Sequence, residues 1–262
     1  MRRFSRDALA VSGLGGVCVP DSCFAERLSD LVALTPGERT ALKQLEERER
    51  PLRRGAILQR ENDPSAELFI LRKGMMMSSM LLDDGSRQIL RFLFPGDMIA
   101  VSALAYREAP EALTALTDVV VCPFERSAVS RLLSDHPRLA ALILVYNQIE
   151  RAALTDRLAA LGRTSAKARV AAILLELGSR MRMHDRGPGK SFTLGLTQEE
   201  IGDATGLTAV HVNRMLRQIE EEGMISRNGG RVTLTDERAL AKAANFVDRH
   251  AGLDLGWLPE GR

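Results

Sequence analysis

Only three cysteines occur in 262 residues. An odd count is a poor disulfide framework, and a reducing compartment is the simpler setting. Aromatic residues make up 4% of the chain, too few for a stacking platform on single-stranded nucleic acid. No apolar run reaches the roughly eighteen residues of a membrane-spanning helix, so no membrane association is expected. The opening "MRRFSRDALAVSGLGGVCV" joins a basic start to a weakly apolar stretch. Its glycines, serine and Asp7 spoil a signal-peptide reading, and a cytoplasmic location is expected. Neither sign of charge dominates: 36 Lys and Arg against 34 Asp and Glu leave +2. Any nucleic-acid surface must then be a local patch. Histidine is absent between residues 51 and 123, which removes a metal-dependent enzyme of the kind that sets His and carboxylate ligands inside a β-barrel. GxSxG, Walker A and GxGxxG motifs are absent too, so no enzymatic activity is expected.

What is present falls into textures. Residues 1–25 read as a flexible arm. Short apolar segments between Pro51 and Pro123 are separated by Asn62-Asp63-Pro64, Lys73-Gly74, Asp83-Asp84-Gly85 and Pro95-Gly96. Short strands at even spacing, with Asp-Gly between apolar runs, predict an antiparallel β-roll over 26–133. The period then becomes helical. A long helix over 134–162 carries Leu142, Ile149 and Asp156 at one heptad position and Val145, Ala152 and Ala159 at the other. Such a seam predicts pairing with a second copy, which would set Asp156 against its twin. Gly162 is expected to end this helix, and Thr164 or Ser165 to cap the next.

The stretch "LTQEEIGDATGLTAVHVNRMLRQIEEEGMI" is the most specific. Thr197 and Glu200 form a capping-box pattern. Gly206 supplies the left-handed turn, and Thr208 caps a second helix whose Val212, Met215, Leu216 and Ile219 repeat at i, i+3, i+4, i+7. Two short helices about a glycine turn predict a helix-turn-helix. The N-terminal part of its second helix enters the major groove. Val210, His211, Asn213 and Arg214 lie there, with Arg217 one turn on. Arginine grips guanine bidentately, asparagine grips adenine, and valine meets a thymine methyl. "MISRNGGRVTL" reads as a hairpin wing with Arg227 and Arg231 placed for phosphates. Residues 163–190 hold seven Lys or Arg against two acids, concentrating basic charge beside this unit. The winged helix-turn-helix spans 163–250, and 251–262 form a tail. The fold class is α+β.

A β-roll, a long seam helix and a winged helix-turn-helix together resemble the CRP/FNR family of bacterial transcription regulators. "GLTAVHVNRML" and the roll turns at Gly55, Gly74, Gly85 and Gly96 carry the likeness, which covers about 26–250. The resemblance implies a homodimer on a palindromic double-stranded DNA site, with RNA polymerase as a partner through loops near Asp84-Gly85 and Arg186–Gly189. Members that bind cyclic AMP carry a Glu and an Arg-Ser pair on the phosphate. Here Val101 stands at the Glu position and Glu111-Ala112 near the Arg-Ser pair, which speaks against cyclic AMP. Oxygen-sensing members hold an iron–sulfur cluster on N-terminal cysteines and one central cysteine. Cys18, Cys23 and Cys122 are the counterparts, one thiolate short of the usual four. A signal at the β-roll or the N-terminal cysteines is expected to modulate DNA binding; the alternatives are an iron–sulfur or thiol redox sensor, or a constitutive regulator with no effector.

Overall fold

The computed structural model describes residues 22–185, 190–247, 249 and 252–260. Two helices come first, α1 (Cys23–Ser29) and α2 (Pro36–Gln44). Cys23 therefore stands on a helix rather than in an arm. Ser22 caps α1, and Thr35 with Glu38 forms a capping box on α2. The roll follows as β1 (Arg50–Leu52), β2 (Ile57–Gln59), β3 (Glu67–Lys73), β4 (Met76–Leu81), β5 (Arg87–Leu93), β6 (Met98–Ile99), β7 (Ala112–Ala115) and β8 (Val119–Glu125). Two antiparallel four-stranded sheets face each other, in the orders β1-β8-β3-β6 and β2-β7-β4-β5. Strand alternation sorts the side chains into layers. Phe69 and Leu71 of β3 point between the sheets with Met76, Leu93, Leu113 and Val121. Leu68 and Ile70 point the other way, against Phe24, Leu28, Leu42, Leu139 and Leu142. Both faces of β3 are covered, which is why "LFIL" carries no polar residue.

Helix α3 (Arg126–Asp135) closes the roll, and Pro137 opens α4 (Pro137–Arg163). A proline disfavours helix in the residue before it, and His136 is accordingly non-helical. Gly162 does not end α4; the helix runs on to Arg163 and is capped at Thr164. Helix α5 (Ala166–Asp185) starts at once, its Ala168 amide donating to Ser165 Oγ at 3.2 Å. The remaining elements are β9 (Ser191–Thr193), α6 (Gln198–Thr205), α7 (Ala209–Glu221), β10 (Ile225–Asn228), β11 (Arg231–Leu234) and α8 (Glu237–Ala244). Strands β10, β11 and β9 form the wing sheet.

The outer face of the second roll sheet is not open. Met75, Met77, Ile89, Phe92 and Phe94 share one apolar cluster with Val170, Leu174 and Leu177 of α5, Ile201 of α6 and Leu216 of α7. The wing unit is thus packed on the roll. Among the described residues no helix is long and apolar enough to cross a membrane.

Candidate DNA interface and sensor node

The expected helix-turn-helix is built by local rules. Thr197 Oγ1 accepts from the Glu200 amide at 3.1 Å, and the Glu200 carboxylate accepts from the Thr197 amide at 2.7 Å. Gly206 ends α6 at φ 65°, a conformation costly for a side chain with Cβ. Thr208 then caps α7 through the His211 amide at 3.3 Å. Val212, Met215, Leu216 and Ile219 are buried, and they fix which face of α7 turns outward. On that outward face Val210 is 82% exposed, with Arg214, Arg217 and Gln218 also exposed. His211 and Asn213 are half-buried between them. The Arg214 guanidinium lies 2.9 Å from His211 Nε2. Among the described residues Arg214 and Arg217 have no carboxylate within ion-pair distance.

The acidic end of α7 is held back from this face. Glu222 takes Lys167 at 2.9 Å, and Glu220 takes Arg227. Arg227 donates to Glu220 from Nε, Nη2 and its amide at 2.8–3.0 Å, which braces the base of the wing. The hydrogen bonds from Arg227 also hold the Glu220 carboxyl below its usual range. Arg231 is exposed, and its guanidinium reaches Ser191 at 3.4 Å.

The expected dimer seam on α4 is out of phase. Leu142, Val145 and Ile149 are 0%, 9% and 6% exposed and face their own chain's core. The long helix uses this stripe for its own roll. Ala152 is half-buried and Ala159 exposed. The exposed large apolar residues of α4 are Leu144, Leu154 and Leu158. Asp156 is paired within the chain: Arg249 donates to both of its oxygens at 2.7 and 2.5 Å.

On the sensor side a cavity of about 200 Å³ lies between the roll and α4. Val101, Ser102, Glu111 and Arg91 line it, with Tyr146 and Glu150 from α4. Arg91 donates to Glu150 at 3.0 Å, so this guanidinium is already neutralised. Ala100, on the cavity wall, has φ 57°, an uncommon conformation for a residue with Cβ.

Of the three cysteines, Cys18 lies outside the described residues. Cys122 of β8 is fully buried, and burial, aided by Glu46, pushes its thiol up to about 11. Buried Glu46 accepts from Ser22 Oγ at 2.5 Å and from the Cys23 and Phe24 amides at 3.0 Å, tying down the start of α1. Cys23 Sγ lies 3.4 Å from the Arg72 carbonyl. Among the described residues no group of three His, Cys, Asp or Glu is placed to hold a metal. Three cysteines in the whole chain are one short of a four-thiolate cluster.

Sequence reasoning missed a buried ionic node. Asp97, in the turn between β5 and β6, is 2% exposed. It accepts from Arg180 of α5, from Tyr146 Oη at 2.8 Å and from the Phe94 amide at 2.9 Å. The Arg27 guanidinium stands 3.9 Å away. Desolvation raises the Asp97 carboxyl, but Arg180 and Arg27 outweigh it and hold it below its usual range. Desolvation drives the Tyr146 phenol up. The Pro95-Gly96-Asp97 turn was visible in the sequence, but nothing marked Arg180 as its partner 83 residues away.

A roll linked through one long helix to a winged unit with an open reading face defines a DNA-binding transcription regulator. Comparison with known proteins agrees. The cyclic nucleotide-binding domain family matches residues 49–136, and the Crp-like helix-turn-helix domain family matches 168–243. The chain is 29% identical over 216 residues to the transcriptional activator protein anr of Pseudomonas aeruginosa, covering 81% of this chain and 87% of that one. It is 26% identical over 225 residues to the fumarate and nitrate reduction regulatory protein of Escherichia coli, covering 86% and 90%. The structure of FixK2 from Bradyrhizobium japonicum is similar with a TM-score of 0.69 at 26% identity, over 77% of this chain and 98% of that one. The chain belongs to the CRP/FNR family.

Proposed function

We propose that the protein works as a homodimer on a two-fold symmetric duplex, inserting the N-terminal half of α7 into the major groove of each half-site. The observation that carries this reading is the outward face of α7: Val210, Arg214 and Arg217 stand exposed while the opposite stripe is locked in the core. Arg214 is the guanine reader, Asn213 and His211 flank it, Val210 meets a thymine methyl, and Thr208 sets the helix start beside the backbone. Arg231 on the wing contacts phosphate, with Arg227 positioning the wing. Leu144, Leu154 and Leu158 form the seam to the partner helix, with Ala152 and Ala159 beside them. The protein acts by binding rather than catalysis, in the cytoplasm. It engages RNA polymerase through the β4–β5 tip, where Leu81 and Leu82 are exposed beside Asp83 and Asp84; the second expected contact loop, Arg186–Gly189, lies outside the described residues.

The effector is not a cyclic nucleotide. Glu111 on the cavity wall repels a phosphate, and Arg91 is spoken for by Glu150. Selecting bound duplexes from a random pool, with and without oxygen, tests the whole reading. Two inverted half-sites about one helical turn apart are expected, unchanged by added cyclic AMP. Failure to enrich any duplex overturns it.

A further inference from the structure

We propose that the Asp97–Arg180 pair is the joint that fixes the DNA-binding unit on the roll, and that helix α1 sets its position. The proposal rests on the regulator reading above and adds how its two halves are held in register.

Asp97 belongs to the matched roll domain and Arg180 to the matched helix-turn-helix domain. Between them sits a run of alternating charge: Arg27, Asp97, Arg180, Glu150, Arg91. Arg180 Nη1 is 3.9 Å from Glu150, which accepts from Arg91 at 3.0 Å. Glu111 faces Arg91 from the roll. The Arg180 guanidinium also stacks over Phe94, 5.1 Å from the ring centre. One carboxylate thus meets four elements: its own turn through Phe94, α4 through Tyr146, α5 through Arg180 and α1 through Arg27. A planar, five-donor guanidinium fixes angle as well as distance, unlike the apolar packing around it.

Helix α1 touches the joint directly. Arg27 lies one turn beyond Cys23, 5.6 Å over the Tyr146 ring. A Cβ at Gly96 would meet the Cys23 carbonyl at 2.7 Å and Arg27 Cβ at 3.0 Å. The backbone of α1 therefore rests on the turn that presents Asp97, and a displacement of α1 is passed to Asp97 and on to Arg180. At the far edge of the same interface, Arg87 and Gln88 of β5 hold Asp203 of α6 at 2.7 Å, a second, half-buried contact between the two units. With the joint closed the reading face of α7 is open, so the closed joint is the DNA-competent state. In a dimer it sets the separation of the two reading helices, which must match half-site spacing.

The test uses the full chain and two readouts. First, hydrogen exchange without DNA: Arg180→Met is expected to raise exchange in β5 and α6 at least tenfold while β3 and β8 stay protected. Second, binding to a selected two-half-site duplex and to a single half-site: Arg180→Met and Asp97→Asn should weaken the first at least tenfold and leave the second within twofold. Gly96→Ala, whose Cβ at φ 86° would press on the Cys23 carbonyl and Arg27 Cβ, disturbs α1 and the turn together and should repeat the pattern more weakly. Arg180→Lys, which keeps charge but loses the fork, supplies a variant with less risk of misfolding and is expected to fall between. The joint is overturned by unchanged exchange in β5 and α6, or by equal losses on both duplexes. Absence of wild-type binding to any duplex would instead overturn the regulator reading, leaving the exchange result to stand or fall on its own.

Discussion

The chain keeps two sets of arginines in opposite conditions. On α7, Arg214 and Arg217 are exposed and meet no carboxylate among the described residues. At the Asp97 node, Arg27 is buried and Arg180 only 14% exposed, and both sit among acceptors and rings. An exposed guanidinium keeps its donors for another molecule. A buried one has given them to its own chain, and its use is to hold an arrangement. Position along the sequence does not separate the two sets; the burial of the helix face they sit on does.

The largest expected effect comes from opening the buried set. Removing one partner of a buried ion pair leaves an uncompensated charge, and Arg180→Met should cost about 3–5 kcal/mol of the docked arrangement, read as a lowered unfolding midpoint in denaturant. Acid should act in the same place. Because Asp97 is held below the ordinary carboxylate value of about 3.9, its contribution is complete above that pH and is lost as pH falls through the lower folded value. Wild type should therefore keep the β5–α6 face protected to lower pH than Arg180→Met. A middle effect is expected on α4: Leu158→Lys removes a leucine from the seam and should weaken dimerisation by about 1.5–3 kcal/mol, measured by sedimentation equilibrium. An unchanged dimer would move the seam elsewhere. The smallest effect belongs to an exposed pair. Asp156→Ala breaks the contact with Arg249, both partners being more than a third exposed, and should change stability by under about 1 kcal/mol. A loss beyond that would make the Asp156–Arg249 contact a structural clamp on α4.

How much of this was legible depended on how local the cause was. The helix-turn-helix was readable because cap, glycine and apolar stripe lie within thirty residues, and each follows from short-range chemistry. The roll turns at Gly74, Gly85 and Gly96 were readable for the same reason. The heptad phase of α4 was not, since Leu142 and Leu144 are equally apolar and only the roll decides which is covered. Arg227 was legible as a wing arginine, but its pairing with Glu220 was not. The Asp97–Arg180 pair, 83 residues apart, had no sequence signal at all.

Everything turns on whether the open face of α7 reads bases. Fluorescence anisotropy with Arg214→Ala, on the selected duplex and on a scrambled one of equal length, measures this directly. The account predicts a loss of about 1–3 kcal/mol on the selected duplex and almost none on the scrambled one. Equal losses on both would make Arg214 a phosphate contact and contradict it.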